Sequence, residues 1–141
     1  MRRRCNGRLV RLVRFWLFLA LVAFLEVQVV QPAELPSATQ SEINHLLDFM
    51  ENSHCQFYRN GKWYTDPKAV REHVVTKYQY FLEKGKINSA EDFIKWSATK
   101  SELSGKPYQV KCGDGPPVPV EKWLNEELAR YRREKGGQPA R

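Results

Sequence analysis

Cysteine, histidine and methionine are scarce in this chain, with three, three and two among 141 residues. No Cys-x2-Cys or His-x3-His pair occurs, so the ligand density of a dedicated metal centre is missing. No specific nucleotide or catalytic signature is present either, and no cofactor is implied. Long apolar runs are equally rare. The longest, residues 15–25, has eleven members and reaches about 16 Å as a helix, against roughly 30 Å of bilayer hydrocarbon, which argues against an ordinary transmembrane helix. What remains is 42% hydrophobic and 12% aromatic, the composition of a packed core in a chain with room for one domain.

Charge is concentrated at the front. Residues 1–33 carry five of the seven net positive charges, from Arg2, Arg3, Arg4, Arg8, Arg11 and Arg14 against Glu26. The rest is nearly neutral and lacks the clustered basic surface that would mark a nucleic-acid partner. Arginines followed by a short apolar run are the order of a secretory signal. Residues 1–33 are therefore expected to be a signal peptide or, if uncut, an N-terminal anchor meeting the membrane through residues 9–30. Neither candidate cut, after Ala33 or Ala38, has a small residue three positions before it, so both outcomes stay open. In each the positive end stays inside, and the domain is exported, periplasmic or secreted. Residues 34–38 read as a spacer, 39–135 as a single globular domain and 136–141 as a frayed tail.

Cys5 lies in the leader, which leaves Cys55 and Cys112 as an even pair. In an oxidising compartment they are expected to bridge, closing a long loop worth at most about 4 kcal/mol. The alternatives are buried free thiols, or a reactive thiol beside His54.

The domain alternates helical and strand patterns. Thr39 and Glu42 fit a capping box ahead of a helix with Ile43, Leu46, Leu47 and Met50 on one face, ending near His54. Asn60-Gly61 between two aromatic runs specifies a tight type I′ hairpin. Asp66-Pro67 caps a helix striped by Val70, Val74, Tyr78, Phe81 and Leu82, with Gly85 as its stop. Ser89 caps a further helix through Ala98. Residues 107–112 alternate like a strand, residues 113–119 read as a loop, and a final helix carries Trp123, Leu124, Leu128 and Tyr131. The fold class is α+β: helix, β-hairpin, two helices, third strand, C-terminal helix. The expected sheet is three-stranded and antiparallel, with the third strand beside the first and the two cysteines at matching ends.

Five segments together resemble a family of small exported bacterial proteins of unknown function. They are FYRNG at residues 57–61, His73-x3-Lys77-Tyr78, INSAEDFI at 87–94, SELSGKPYQVKC at 101–112 and WLNEELARYR at 123–132. The resemblance covers most of residues 40–132. It implies an extracytoplasmic location and supplies no activity, substrate or cofactor. Arg59, Asn60, Gly61, His73, Lys77, Ser104, Gly105, Lys106, Pro107 and Tyr108 are the positions that match its pattern.

The sharpest candidate site combines these residues. His73 and Lys77 share a helical face, Arg59 lies on the adjacent hairpin, and Ser104, Lys106 and Tyr108 lead into the third strand. Such a cluster suits an anion: a phosphate, a carboxylate or an acidic sugar. The plainer account has Lys77 and Lys106 solvated and His73 bonded to a buried carbonyl. Glu42 with His45 has the i, i+3 spacing of two metal ligands on one face, and Glu72-His73 could add ligands from a second helix, but the density of a site is missing, so no metal is assigned. Ser97-x-x-Lys100 spells the Ser-Lys pair of penicillin-binding enzymes, but Ser97 falls late in its helix. The expected function is non-enzymatic binding of a small anionic ligand or an envelope component. The alternative is a small envelope hydrolase with His73 as general base.

Overall fold

The computed structural model describes residues 34–136. The proposed leader, residues 1–33, and residues 137–141 of the proposed tail lie outside them. Helix α1 (Ser37–Asn52) is followed by β1 (Gln56–Arg59) and β2 (Lys62–Tyr64), then α2 (Pro67–Glu83). Next come a single-turn α3 (Ala90–Phe93) continued by a π-helical turn (Ile94–Ala98), then β3 (Gln109–Lys111), β4 (Val118–Pro119) and α4 (Val120–Gly136). The class is α+β.

Local chemistry explains most element ends. Asn60 and Gly61 take φ of 51° and 87°, the pair of positive values a type I′ turn requires. The Asp66 carboxylate accepts from the backbone N–H of Lys68 and Ala69, with Pro67 at the first helical position, and Gly85 follows at φ 65°, the left-handed stop of α2. Ser89 Oγ accepts from the Asp92 N–H to open α3.

Three expectations are corrected. The Thr39/Glu42 capping box does not form: α1 begins three residues earlier, behind Pro36 as N-cap, without a side-chain cap, and Glu42 is held by Arg132 instead. The segment after Ser89 is not one α-helix, because its second half widens to π geometry, with Thr99 Oγ1 donating to the Ile94 carbonyl at 2.8 Å. The sheet has four strands, ordered β2-β1-β3-β4, all antiparallel. The missed strand is two residues long and ends in proline. At a sheet edge proline's missing N–H costs no ladder bond, so the ladder is compatible with a Pro-rich stretch that reads as a loop.

The third strand does lie beside the first, with Gln56 opposite Lys111. Cys55 and Cys112 form a disulfide at that end. Along β1, side chains alternate between faces. Phe57, Arg59, Tyr64 and Val110 share the face covered by helices, while Tyr58 and Trp63 pair on the other. The core joins Phe57 and Val110 to Ile43, Leu46 and Met50 of α1, Val74 of α2, Phe93 and Ile94, and Leu124 and Leu128 of α4.

Candidate functional site

At the Arg59 end of this inner face the covering helix α2 does not close onto the sheet. A cavity of about 160 Å³ lies there, walled by Met50, Phe57, Val70, Val74, Ala98 and Val120 and bordered by Arg59, Tyr64, His73 and Tyr108. The polar border follows from two periodicities. Arg59 is two residues beyond buried Phe57, so it keeps the inner face but reaches the rim. His73 stands between Val70 and Val74, so the helical face that fills the core also carries the imidazole to the opening.

The groups at the rim are close. Arg59 donates from Nη2 to Tyr64 Oη at 3.2 Å, and its guanidinium carbon lies 4.9 Å from the centre of that ring. The Arg59 hydrogen bond and charge hold the Tyr64 phenol below its ordinary pKa. His73 Nε2 lies 3.4 Å from Tyr108 Oη. Burial, then the charges of Arg59 and Lys77, push the His73 pKa down to about 4, so the ring is neutral at neutral pH. Burial raises the Tyr108 phenol, which leaves its hydroxyl a neutral donor and acceptor.

Lys77 has a different role from Arg59. Its Nζ donates to the Lys100 carbonyl at 2.6 Å, lies 3.6 Å from Glu102 Oε1 and sits 5.2 Å from the centre of the Tyr108 ring. Burial lowers its pKa, with Glu102 opposing. Lys77 thus fastens α2 to the 100–102 segment and backs Tyr108. Arg59, by contrast, has no carboxylate within 4 Å among the described residues.

Of the sequence candidates, Arg59, His73 and Tyr108 meet at the cavity, and Lys77 stands directly behind them. Ser104 donates from Oγ to Asn60 Oδ1 at 2.8 Å, tying the 101–106 loop to the hairpin turn. Among the described residues no hydrogen bond or ion pair joins the exposed Lys106 side chain to the cluster. Only its backbone is used, where the Lys106 carbonyl accepts from Ser101. Sequence reading missed Tyr64 and the apolar walls as site residues. The available signal was the strand alternation, which puts Tyr64, opposite Phe57, on the inner face.

The residues weighed for metal or covalent chemistry are placed elsewhere. Glu42 is bidentate with Arg132, at 2.7 and 2.8 Å, and His45 Nε2 lies 2.5 Å from Glu127 Oε1. Ser97 is fully buried and its Oγ has no hydrogen-bond partner, while Lys100 is exposed. No group of three or more His, Cys, Asp or Glu side chains converges among the described residues.

Fold and cavity define a small, disulfide-bonded α+β domain with the Arg59 guanidinium at the mouth of an apolar recess. The chain belongs to a family of unknown function (DUF5329), whose model matches residues 37–132. No curated protein and no solved structure matches it.

Proposed function

We propose that this domain works outside the cytoplasm as a binding protein, taking a small anionic ligand or an anionic group of an envelope component at the Arg59 cavity without transforming it. The observation that carries the reading is the Arg59 guanidinium. It is a partly buried cation whose neighbours are the phenols of Tyr64 and Tyr108, with no carboxylate within 4 Å among the described residues, at the edge of a preformed apolar recess. A guanidinium has five N–H donors and is matched best by a carboxylate or phosphate. The Cys55–Cys112 disulfide supports an oxidising compartment.

A hydrolase using His73 as general base is less well supported. A base works best with a pKa near the operating pH, and burial beside two cations pushes His73 down to about 4. Its hydrogen-bonding neighbour is Tyr108, not a carboxylate that would raise its basicity.

Thermal unfolding of the purified protein across a panel of carboxylates, phosphates and acidic sugars tests the proposal. At a ligand concentration a hundred times Kd the stabilisation should be about 2.7 kcal/mol, and Arg59→Ala should abolish it. Stabilisation unchanged in Arg59→Ala, or the absence of any stabilising anion, would overturn it.

A further inference from the structure

The cavity's size, lining and charge narrow the ligand. Resting on the anion-binding reading above, we infer that the ligand is a monocarboxylate joined to a compact apolar group of about benzene's size. The carboxylate pairs with Arg59, and the apolar group fills the space between Phe57, Val70, Val74 and Val120.

Three observations converge. The volume, about 160 Å³, is close to the roughly 150 Å³ at which an apolar protein cavity accepts benzene. It is well below the ~300–1,000 Å³ of sites that enclose drug-sized ligands. The walls are side chains without polar atoms, so an acetate, a free phosphate or a sugar would leave them unfilled or would bury hydroxyls without partners. Of the cations near the rim only Arg59 lines the recess, while Lys62, its cross-strand partner, is exposed with Nζ 5.4 Å from the centre of the Tyr64 ring. Lys77 is already committed to the Lys100 carbonyl and Glu102, and His73 is shielded from protonation at neutral pH by burial and its cationic neighbours. A phosphate dianion would bring about two negative charges to one guanidinium in an apolar recess, at a large desolvation cost. A carboxylate brings one, in the planar form that Arg engages with two parallel N–H bonds. His73 and Tyr108, neutral and 3.4 Å apart at the rim, can each offer a hydrogen bond to the second oxygen.

This chemistry has two sources: a free hydrophobic acid, or the last residue of a peptide chain ending in an apolar side chain. Titration calorimetry of the purified full-length chain separates them and tests the class. The probes are phenylacetate, N-acetylglycyl-phenylalanine, acetate, inorganic phosphate and the uncharged phenylacetamide. Phenylacetate or the peptide should bind at least tenfold more tightly than acetate, phosphate or phenylacetamide, the tighter of the two naming the source. Arg59→Gln should weaken that binding at least tenfold. Val70→Phe, which extends a ring into the recess from a partly buried wall position, should block phenylacetate while leaving the melting temperature near that of the parent.

Acetate or phosphate binding as tightly as phenylacetate, and lost in Arg59→Gln, would retain an anion site and overturn the apolar part of the inference. Phenylacetate binding unchanged in Arg59→Gln would overturn the carboxylate part. No heat from any probe, with the chain folded, would overturn the inference, while the broader reading would still be open to test with the acidic sugars.

Discussion

Two histidines on neighbouring helices show how differently one residue type is used in this domain. His45 of α1 stacks on Tyr131 with ring centres 4.0 Å apart and bonds Glu127, whose buried carboxylate also receives two hydrogen bonds from Arg130. Burial alone would raise the Glu127 pKa, but the hydrogen bonds from Arg130 and His45 outweigh it and the carboxyl titrates low. Nearby, Arg132 bridges Glu42 of α1 and Glu91 of α3. Here every charge has a partner of opposite sign, and the network clamps α4 to the helices beside it. Among the described residues His73 of α2 has no carboxylate partner, and it faces an apolar cavity bordered by Arg59, which has none either. A satisfied ionic network is what fold stability uses, whereas an unsatisfied cation beside a recess is what a ligand completes.

The largest way to break this contrast acts on both regions at once. Removing the disulfide, by Cys55→Ser with Cys112→Ser, should destabilise the domain by about 3–4 kcal/mol in the loop-entropy picture. It should also weaken ligand binding, because β1 and β3 then hold Arg59 and Tyr108 less firmly. Urea unfolding of the double variant beside the parent measures the first effect, and the unfolding midpoint with ligand measures the second.

Sharper still is a paired substitution. Glu127→Ala should cost about 2 kcal/mol, since it strips a buried acceptor from Arg130 and His45. Arg59→Ala should change stability by less than about 0.5 kcal/mol, since the cation it removes has no ionic partner. Comparable losses from both, read by urea unfolding, would mean that Arg59 is structural after all.

The smallest effect is in pH. Unfolded, His73 takes up a proton near its ordinary value of about 6.5, whereas the folded protein binds it only near about 4. Between these values the unfolded chain holds more protons, so stability falls as the pH drops from 6.5 towards 4. Because the ring is only partly buried, solvent screening reduces the contribution to about 1 kcal/mol. His73→Gln should flatten that part of the stability profile. Glu127, with a lowered pKa, acts in the opposite range: its stabilisation is present above the ordinary carboxylate value and is lost as the pH falls below it. A His73→Gln profile identical to the parent between pH 4 and 6.5 would remove the distinction between the two histidines.

Legibility in the sequence followed the range of the interaction. The hairpin was readable because Asn60-Gly61 has few other uses, and the start of α2 because Asp66-Pro67 satisfies backbone donors within three residues. Arg59, His73 and Tyr108 meet at the cavity, a juxtaposition to which the helical spacing and the third strand beside the first already lead. Lys106 was grouped with them on proximity in sequence to Tyr108, but the turn at Gly105, with φ 67°, belongs to a loop whose contacts to the hairpin run through Ser104. The strand at residues 118–119 was not readable, since two residues ending in proline carry no alternation. The His45–Glu127 pair, 82 positions apart, has no local signature at all.

The α+β class, the turns, most helix caps and the pair of cysteines that could meet follow from the order of residues alone, because each depends on residues a few positions apart or on the pairing of whole strands. Which cation is spent and which stays available depends instead on contacts made across the fold. A lysine and an arginine of equal charge differ here because Lys77 meets a carbonyl and Glu102 across 23 or more positions, while Arg59 meets a phenol and an apolar hollow. That outcome depends on how α2 rests on the sheet, and no spacing within the chain encodes it.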